Sequence, residues 1–344
     1  MNIFELTREL IDIPSLTGDE EAVGLFLART LSGLGYRVER QEMEPGRANV
    51  IATVKEATPT IVFSTHMDTV PPYIPSEEDA HFIRGRGSCD AKGIIAAQIA
   101  AAERLRAEGI SQIGLLFTVD EELGSRGADF VNTHPVAQHC RFMINGEPTD
   151  NRLAVGTKGS LRLMLKTKGR AAHSAYPEQG ESAIEKLLDV LADVRALRWP
   201  TDARLGETTC NIGVIRGGSR PNVIPAEAEA ELQLRLVTEV RPVREMLEQA
   251  VRGRAEIEYL SEAAPISLLT LEGFEQCAVR FMTDIPHLSN WGTPLLLGPG
   301  SILVAHTDEE RVSKRELEEA VELYTRLAHT LLKESGESGE SVES

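Results

Sequence analysis

Five short stretches of this chain carry residues able to do chemistry. They are His66-Met67-Asp68, Asp90 within Gly87-Ser88-Cys89-Asp90-Ala91-Lys92-Gly93, the pair Glu121-Glu122, Glu147 within Asn145-Gly146-Glu147-Pro148-Thr149, and His306 beyond the turn Gly298-Pro299-Gly300-Ser301. Two histidines with three or four carboxylates make a ligand set for two zinc ions, and a carboxylate between two cations would relieve their repulsion by bridging them. A zinc pair acidifies a bound water and polarises a carbonyl, which is hydrolytic chemistry.

Taken singly, each residue has a plainer meaning. A histidine at a strand end is commonly structural, adjacent glutamates usually form a solvated loop, and Asp90 suits the N-cap of the helix that follows it. Gly85, Gly87 and Gly93 mark a turn. That turn is no phosphate loop, because it lacks the glycine spacing and the Lys-Ser/Thr pair. The ordered set of five says more than any member.

The elements that must position these residues are legible. Thr17 and Glu20 have capping-box spacing ahead of a helix with Val23, Phe26, Leu27, Leu31 and Leu34 on its apolar side, stopped by Gly35. Short β-rich runs follow at 36–40 and 49–54. Thr60 to Thr65 reads as a buried strand ending at His66, Ile113 to Val119 as one ending at the acidic pair, and Arg141 to Asn145 as one ending at Glu147. Asp90 to Glu108 reads as an Ala-rich helix. Strands alternating with helices predict an α/β domain with a mostly parallel sheet, whose sites lie beyond the carboxyl ends of the strands.

The middle of the chain differs. Ala228, Ala230, Leu232, Leu234 and Leu236 alternate with polar residues, as in a half-exposed antiparallel strand, and Ser182 to Leu197 has the spacing of an amphipathic helix. Residues 159–267 are therefore expected to form a small α+β domain with one open sheet face, and, because Glu147 precedes it and His306 follows it, a lid inserted into the catalytic domain. Residues 1–158 and 268–334 make the catalytic domain around it. Ser313 and Glu316 cap a last helix ending near Lys333, and the Gly/Ser-rich run 335–344 is expected to be disordered.

Five stretches, in order over most of the chain, resemble the co-catalytic zinc exopeptidase family of aminoacylase, acetylornithine deacetylase, succinyl-diaminopimelate desuccinylase and carboxypeptidase G. They are Ser64 to Pro71, Gly85 to Gly93, Thr118 to Glu122, Gly146 to Thr149, and Gly298 to His306. The resemblance implies two zinc ions per subunit, with Co2+ as a substitute. It puts His66 and Glu147 on one ion, Glu122 and His306 on the other, and Asp90 between them. It makes Glu121 the general base and sets Asp68 behind His66 to orient its ring. It also assigns His173, Asn222, Arg235 and Gly300 to the substrate, with Arg235 gripping an α-carboxylate. From the sequence alone, Arg235 reads equally as a cross-strand ion pair with a glutamate, and His173 as an exposed turn residue.

The implied activity is hydrolysis of the amide of an N-acyl amino acid or small peptide. Within the family, Cys89 in its turn and the Gly146 to Thr149 stretch point toward an acetylornithine or acetyl-lysine deacetylase of amino-acid biosynthesis. A succinyl-diaminopimelate desuccinylase or a dipeptidase is the alternative. A catalytically silent binding protein would have lost a ligand or the base, and none is lost.

Composition narrows the partners. Of 344 residues, 36 are Lys or Arg and 53 are Asp or Glu, a net charge of −17. That argues against nucleic acid and anionic membrane as main partners. The start lacks a signal-peptide pattern. Four widely spaced cysteines without a CxxC pair suggest free thiols in a cytoplasmic protein. A homodimer through the lid is a further implication of the resemblance.

Overall fold

The structure, a computed structural model, describes residues 2–55 and 57–337, with side chains described as far as residue 334. The chain forms two compact units. The first comprises Met1–Ala154, Leu268–Cys277 and Thr283–Ser344, and the second comprises Val155–Ser267 and Ala278–Met282. The second therefore begins at Val155 rather than at 159. It also takes in 278–282, because the Lys158 N–H donates to the Val279 carbonyl at 3.0 Å.

The first unit is built on a six-stranded sheet. Its order is Tyr36–Glu44, Arg47–Val54, Ile113–Thr118, Ile61–His66, Phe142–Asn145 and Thr293–Leu296. The first two strands form an antiparallel hairpin, and Arg47–Val54 runs antiparallel to Ile113–Thr118. The other four are mutually parallel. Ile61–His66 and Ile113–Thr118 are buried throughout, as continuous apolar runs require when both sheet faces are covered. Ile94, Ile95 and Ile99 of helix Lys92–Ala107 pack in one core with Phe63, Leu115 and Phe117, each such side chain contributing roughly 1.5–3 kcal/mol. Helix Lys314–Glu337 joins this core through Tyr324, whose hydroxyl donates to the Leu297 carbonyl at 2.6 Å and whose ring lies 5.4 Å from Phe63. That helix runs past Lys333, and residues 338–344 of the expected tail lie outside the described residues.

One expected cap is replaced by tertiary contacts. The helix after Thr17 spans Glu21–Gly33 and has no side-chain cap. The Thr17 hydroxyl instead donates to Asp68 at 2.8 Å, and Glu20 takes the Arg47 guanidinium. A buried guanidinium and a buried carboxylate outbid a helix end for these groups. The helix stops at the positive-φ Gly35 as expected. At the second box, Glu316 does accept from the Ser313 N–H at 3.1 Å.

The second unit is a four-stranded antiparallel sheet in the order Thr209–Gly217, Glu227–Leu236, Gly159–Lys168, Glu256–Ala263. With helices Ala183–Arg195 and Val240–Val251, the chain order is βαββαβ, a ferredoxin-like arrangement. Leu161, Leu163, Leu165, Leu232 and Leu234 pack with Leu187, Val190, Val243 and Leu247 in a core of its own. Alternation in Glu227–Leu236 thus separates a helix-covered face from a polar one. Among the described residues, no helix is long and apolar enough to cross a membrane.

Candidate metal centre

Four parallel strands end on the same edge of the first sheet, and His66, Glu121, Glu122, Glu147 and His306 follow their ends, whereas Asp90 lies in the turn after Phe82–Arg84, a strand of another sheet. Hydrogen bonds lace those ends together. The Ser64 carbonyl accepts from Gly146 N–H (2.7 Å) and Gln98 Nε2 (2.9 Å), and the Thr65 hydroxyl donates to the Gly146 carbonyl (2.8 Å). Glu147 is thereby carried beside the chain that ends in His66. A side chain on Gly146 would lie 2.3 Å from Ile94 and 2.6 Å from Gln98, so only glycine lets this strand end pass so close to helix Lys92–Ala107.

Asp90 is the meeting point. Its Oδ1 is 2.9 Å from His66 Nε2, and its Oδ2 is 3.3 Å from His306 Nε2. His306 Nε2 is also 3.0 Å from Glu122 Oε1. Among the described residues, one donor atom each from His66, Asp90 and Glu122 lie within 4.8 Å of one another. Two donors each about 2.0–2.2 Å from one tetrahedral zinc would stand roughly 3.3 Å apart, so these spacings suit shared ions. Asp90 does not cap the following helix, whose N-cap is Ala91 without a side-chain bond.

His66 is held from behind. Its Nδ1 is 3.0 Å from the Asp68 carbonyl oxygen and 3.5 Å from Asp68 Oδ1. The backbone carbonyl is thus the closer partner, and the carboxylate has other work: it accepts from the N–H groups of Glu121 and Glu122. Asp68 therefore joins the histidine strand to the acidic pair.

The electrostatics fit cations. Burial pushes Glu147 well above the usual carboxylate range, with Glu121 and Asp90 adding to it. Burial does the same to Glu121, reinforced by Asp284, Glu122 and Asp90 and opposed by His66. Burial works against the charged form of Asp90, but hydrogen bonds from His306 and His66 outweigh it and lower its carboxyl. The same bonds from Asp90 and Glu122 raise His306 to about 10. A cluster this rich in acid, with imidazole nitrogens among the oxygens, has the donor chemistry of a divalent-metal site. His306 gives it an open side: its side chain is 49% exposed, against 1% for His66, 7% for Asp90 and 8% for Glu122.

Four further residues were expected to touch substrate. Gly300 is buried at φ +85°; a side chain there would meet Cys89 at 2.5 Å, and its carbonyl accepts from Asp150 N–H. Packing against the Asp90 turn accounts for this glycine. In the second unit, His173 and Asn222 are exposed and adjacent, with Ser174 N–H donating to the Asn222 carbonyl at 3.0 Å. Arg235 is half-buried and, among the described residues, has no ion pair; the neighbouring glutamates Glu231 and Glu229 pair with Arg162 and Arg216 instead.

Sequence reasoning missed Asp284, 1% exposed, which accepts from the Thr118 hydroxyl at 2.7 Å and adds to the acidic field at Glu121 and Glu147. It lies in Thr283-Asp284-Ile285-Pro286, after no strand and in no ordered motif, so only the fold reveals it.

Residues 155–261 match a family profile described as the peptidase dimerisation domain. A probable carboxypeptidase from Aspergillus niger is 38% identical over 93% of this chain and 87% of its own length. A peptidase M20 domain-containing protein from Schizosaccharomyces pombe is 37% identical over 95% of this chain and 84% of its own. Among solved structures, a dinuclear metal-binding peptidase of the M20 family from Bacillus subtilis shares the fold at a TM-score of 0.70, with 16% identity, 96% of this chain and 98% of that one covered. With over a third of its residues shared with such relatives along nearly its whole length, the chain belongs to the M20 family of metallopeptidases and is a peptidase enzyme.

Proposed function

We propose that this protein is a zinc-dependent carboxypeptidase that releases the C-terminal residue of short peptides by hydrolysing the amide bond next to a free α-carboxylate. The observation that carries the reading is Asp90, whose two oxygens face two different histidines inside a buried acidic cluster. His66, Asp90 and Glu147 would hold one divalent ion, and His306, Asp90 and Glu122 the other. Bound there, the ions supply Lewis acidity, which acidifies a water and draws charge from the scissile carbonyl oxygen.

The chain's own groups do the rest. Glu121, held above the usual carboxylate range by burial and acidic neighbours, accepts the proton of the attacking water at its carboxylate and returns it to the departing amine. Asp68 orients His66 and fixes the backbone under Glu121. The exposed side of His306 is where substrate enters. The Arg235 guanidinium, without an ion-pair partner among the described residues, takes the substrate α-carboxylate through a planar fork. The match to a dimerisation domain supports a homodimer.

The carboxypeptidase reading also draws on the names of the relatives. Deacetylation of N-acetylornithine or N-acetyl-lysine finds no support among them and serves as the comparison arm of the test. Zinc-loaded protein is assayed on dipeptides, N-blocked dipeptides, their C-terminal amides and N-acetylornithine. Turnover of the free-carboxylate peptides, with little on the amides, is expected. Turnover of N-acetylornithine with no peptide cleaved would end the carboxypeptidase reading.

A further inference from the structure

The turn from Gly85 to Gly93 carries a second buried acid–base pair besides Asp90. Arg86 and Glu310, each 2% exposed, meet at 2.5 Å. Glu310 Oε1 accepts from three backbone N–H groups of the turn: Gly87 at 2.9 Å, Cys89 at 3.3 Å and Asp90 itself at 3.3 Å. Oε2 takes Arg86 Nη1, and that guanidinium donates onward to the carbonyls of Thr307 and Pro72, each at 3.2 Å. The two segments are also joined by backbone. Gly85 N–H donates to the Glu310 carbonyl at 3.2 Å, and strands Phe82–Arg84 and Arg311–Ser313 pair antiparallel beside them.

A buried ion pair is by itself weak evidence for stability, since desolvation offsets most of its attraction. The placement is what matters here. Glu310 lies just downstream of His306 and grips the turn that ends in Asp90. His306 sits in a left-handed backbone conformation, φ +61°, which a histidine keeps only when its surroundings impose it. Thr307, its neighbour, receives the Arg86 bond. One carboxylate thus fixes the segment of one histidine ligand against the carboxylate that both histidines contact.

We propose that Glu310 is a positioning residue for the metal pair, holding Asp90 and His306 at the spacing that lets them share one ion. The inference rests on the metal site proposed above. It predicts an asymmetry. The ion on the His66 side is anchored by a strand end and by Glu147, so it depends on the clamp only through Asp90. The ion on the His306 side depends on the clamp through both Asp90 and His306.

The test is a chelator-competition titration of the full chain with Zn2+, which reads the affinity of each ion, with circular dichroism to follow folding. The variants are Glu310→Gln, Arg86→Met/Glu310→Gln and His306→Ala. The double variant removes the buried charge pair together, so it keeps the fold if the single one does not. Expected is a loss of about 10–100-fold in the affinity of one ion, the ion that His306→Ala abolishes, with a much smaller change in the other. In the His306→Ala background, Glu310→Gln should change little. Both affinities unchanged, or both falling together, would overturn the clamp while leaving the metal site standing. A wild-type protein that takes up fewer than two ions would instead sink the metal site, and the clamp with it.

Discussion

Asp68 Oδ2 stands 3.2 Å from the backbone nitrogen of Glu122 and accepts its hydrogen. Oδ1 does the same for Glu121 at 3.2 Å, and Thr17 donates to Oδ2 from the other side. A residue expected only to steer His66 therefore also sets the backbone of the proposed base. Asp68→Ala should lower kcat by about 10–100-fold, the usual cost of losing a partner behind a metal ligand. Asp68→Asn keeps an acceptor and should lose less. Steady-state kinetics on a free-carboxylate dipeptide checks both, and an unchanged kcat in Asp68→Ala would remove this role.

Glu121→Gln keeps the volume of the side chain and abolishes its ability to take a proton. It should lower kcat by roughly 10²–10⁴-fold, the range for a general base, while both ions stay bound. Metal content by mass spectrometry and kcat, measured on the same preparation, separate the two effects. Full turnover in the variant would move the base elsewhere.

Asp120, immediately before the base, adopts φ +71° and is held there by Arg47 at 2.7 Å and Arg126 at 2.9 Å. Burial alone would raise its carboxyl, but hydrogen bonds from Arg126 and Arg47 bring it down to about 2. Because the folded value lies below the ordinary 3.8, its stabilisation is present above about pH 4 and is lost as pH falls through 2. The shift corresponds to about 2 kcal/mol. Asp120→Asn, which leaves Arg47 paired with Glu20 but removes the second carboxylate, should cost about 2 kcal/mol at pH 7. Urea titrations at pH 7, 4 and 3 should show the gap between variant and wild type narrowing toward acid. A gap independent of pH would contradict the pairing.

Arg235→Ala tests the carboxylate fork. For a peptide with a free C-terminus, kcat/KM should fall by about 10–100-fold, the worth of a charge-assisted hydrogen-bond pair. For whatever residual turnover the corresponding amide shows, it should barely change. Equal losses on both would deny Arg235 that role.

Much of the site was readable because its residues terminate compact apolar runs. Ile61 to Thr65, Ile113 to Thr118 and Phe142 to Asn145 read as buried strands and are, and parallel strands end on one edge, so His66, the acidic pair and Glu147 follow ends on that edge. What stayed hidden depends on contacts far apart in the chain. Thr17 and Glu20 have the spacing of a helix cap, yet Asp68 and Arg47 claim them. Glu310 stands in the acidic run Asp308 to Glu310, and only the fold brings Arg86, 224 residues earlier, beside it. Asp284 ends no strand at all. Local pattern reports which side chains a strand presents, whereas a buried carboxylate chooses its partners in three dimensions.

Crystals of the protein grown with Zn2+, with anomalous diffraction recorded at the zinc edge, test the central claim most directly. The account predicts two peaks about 3.5–4 Å apart with Asp90 spanning them, one ligated by His66 and Glu147 and the other by His306 and Glu122. A single ion away from Asp90, or no ion among these five side chains, would contradict it.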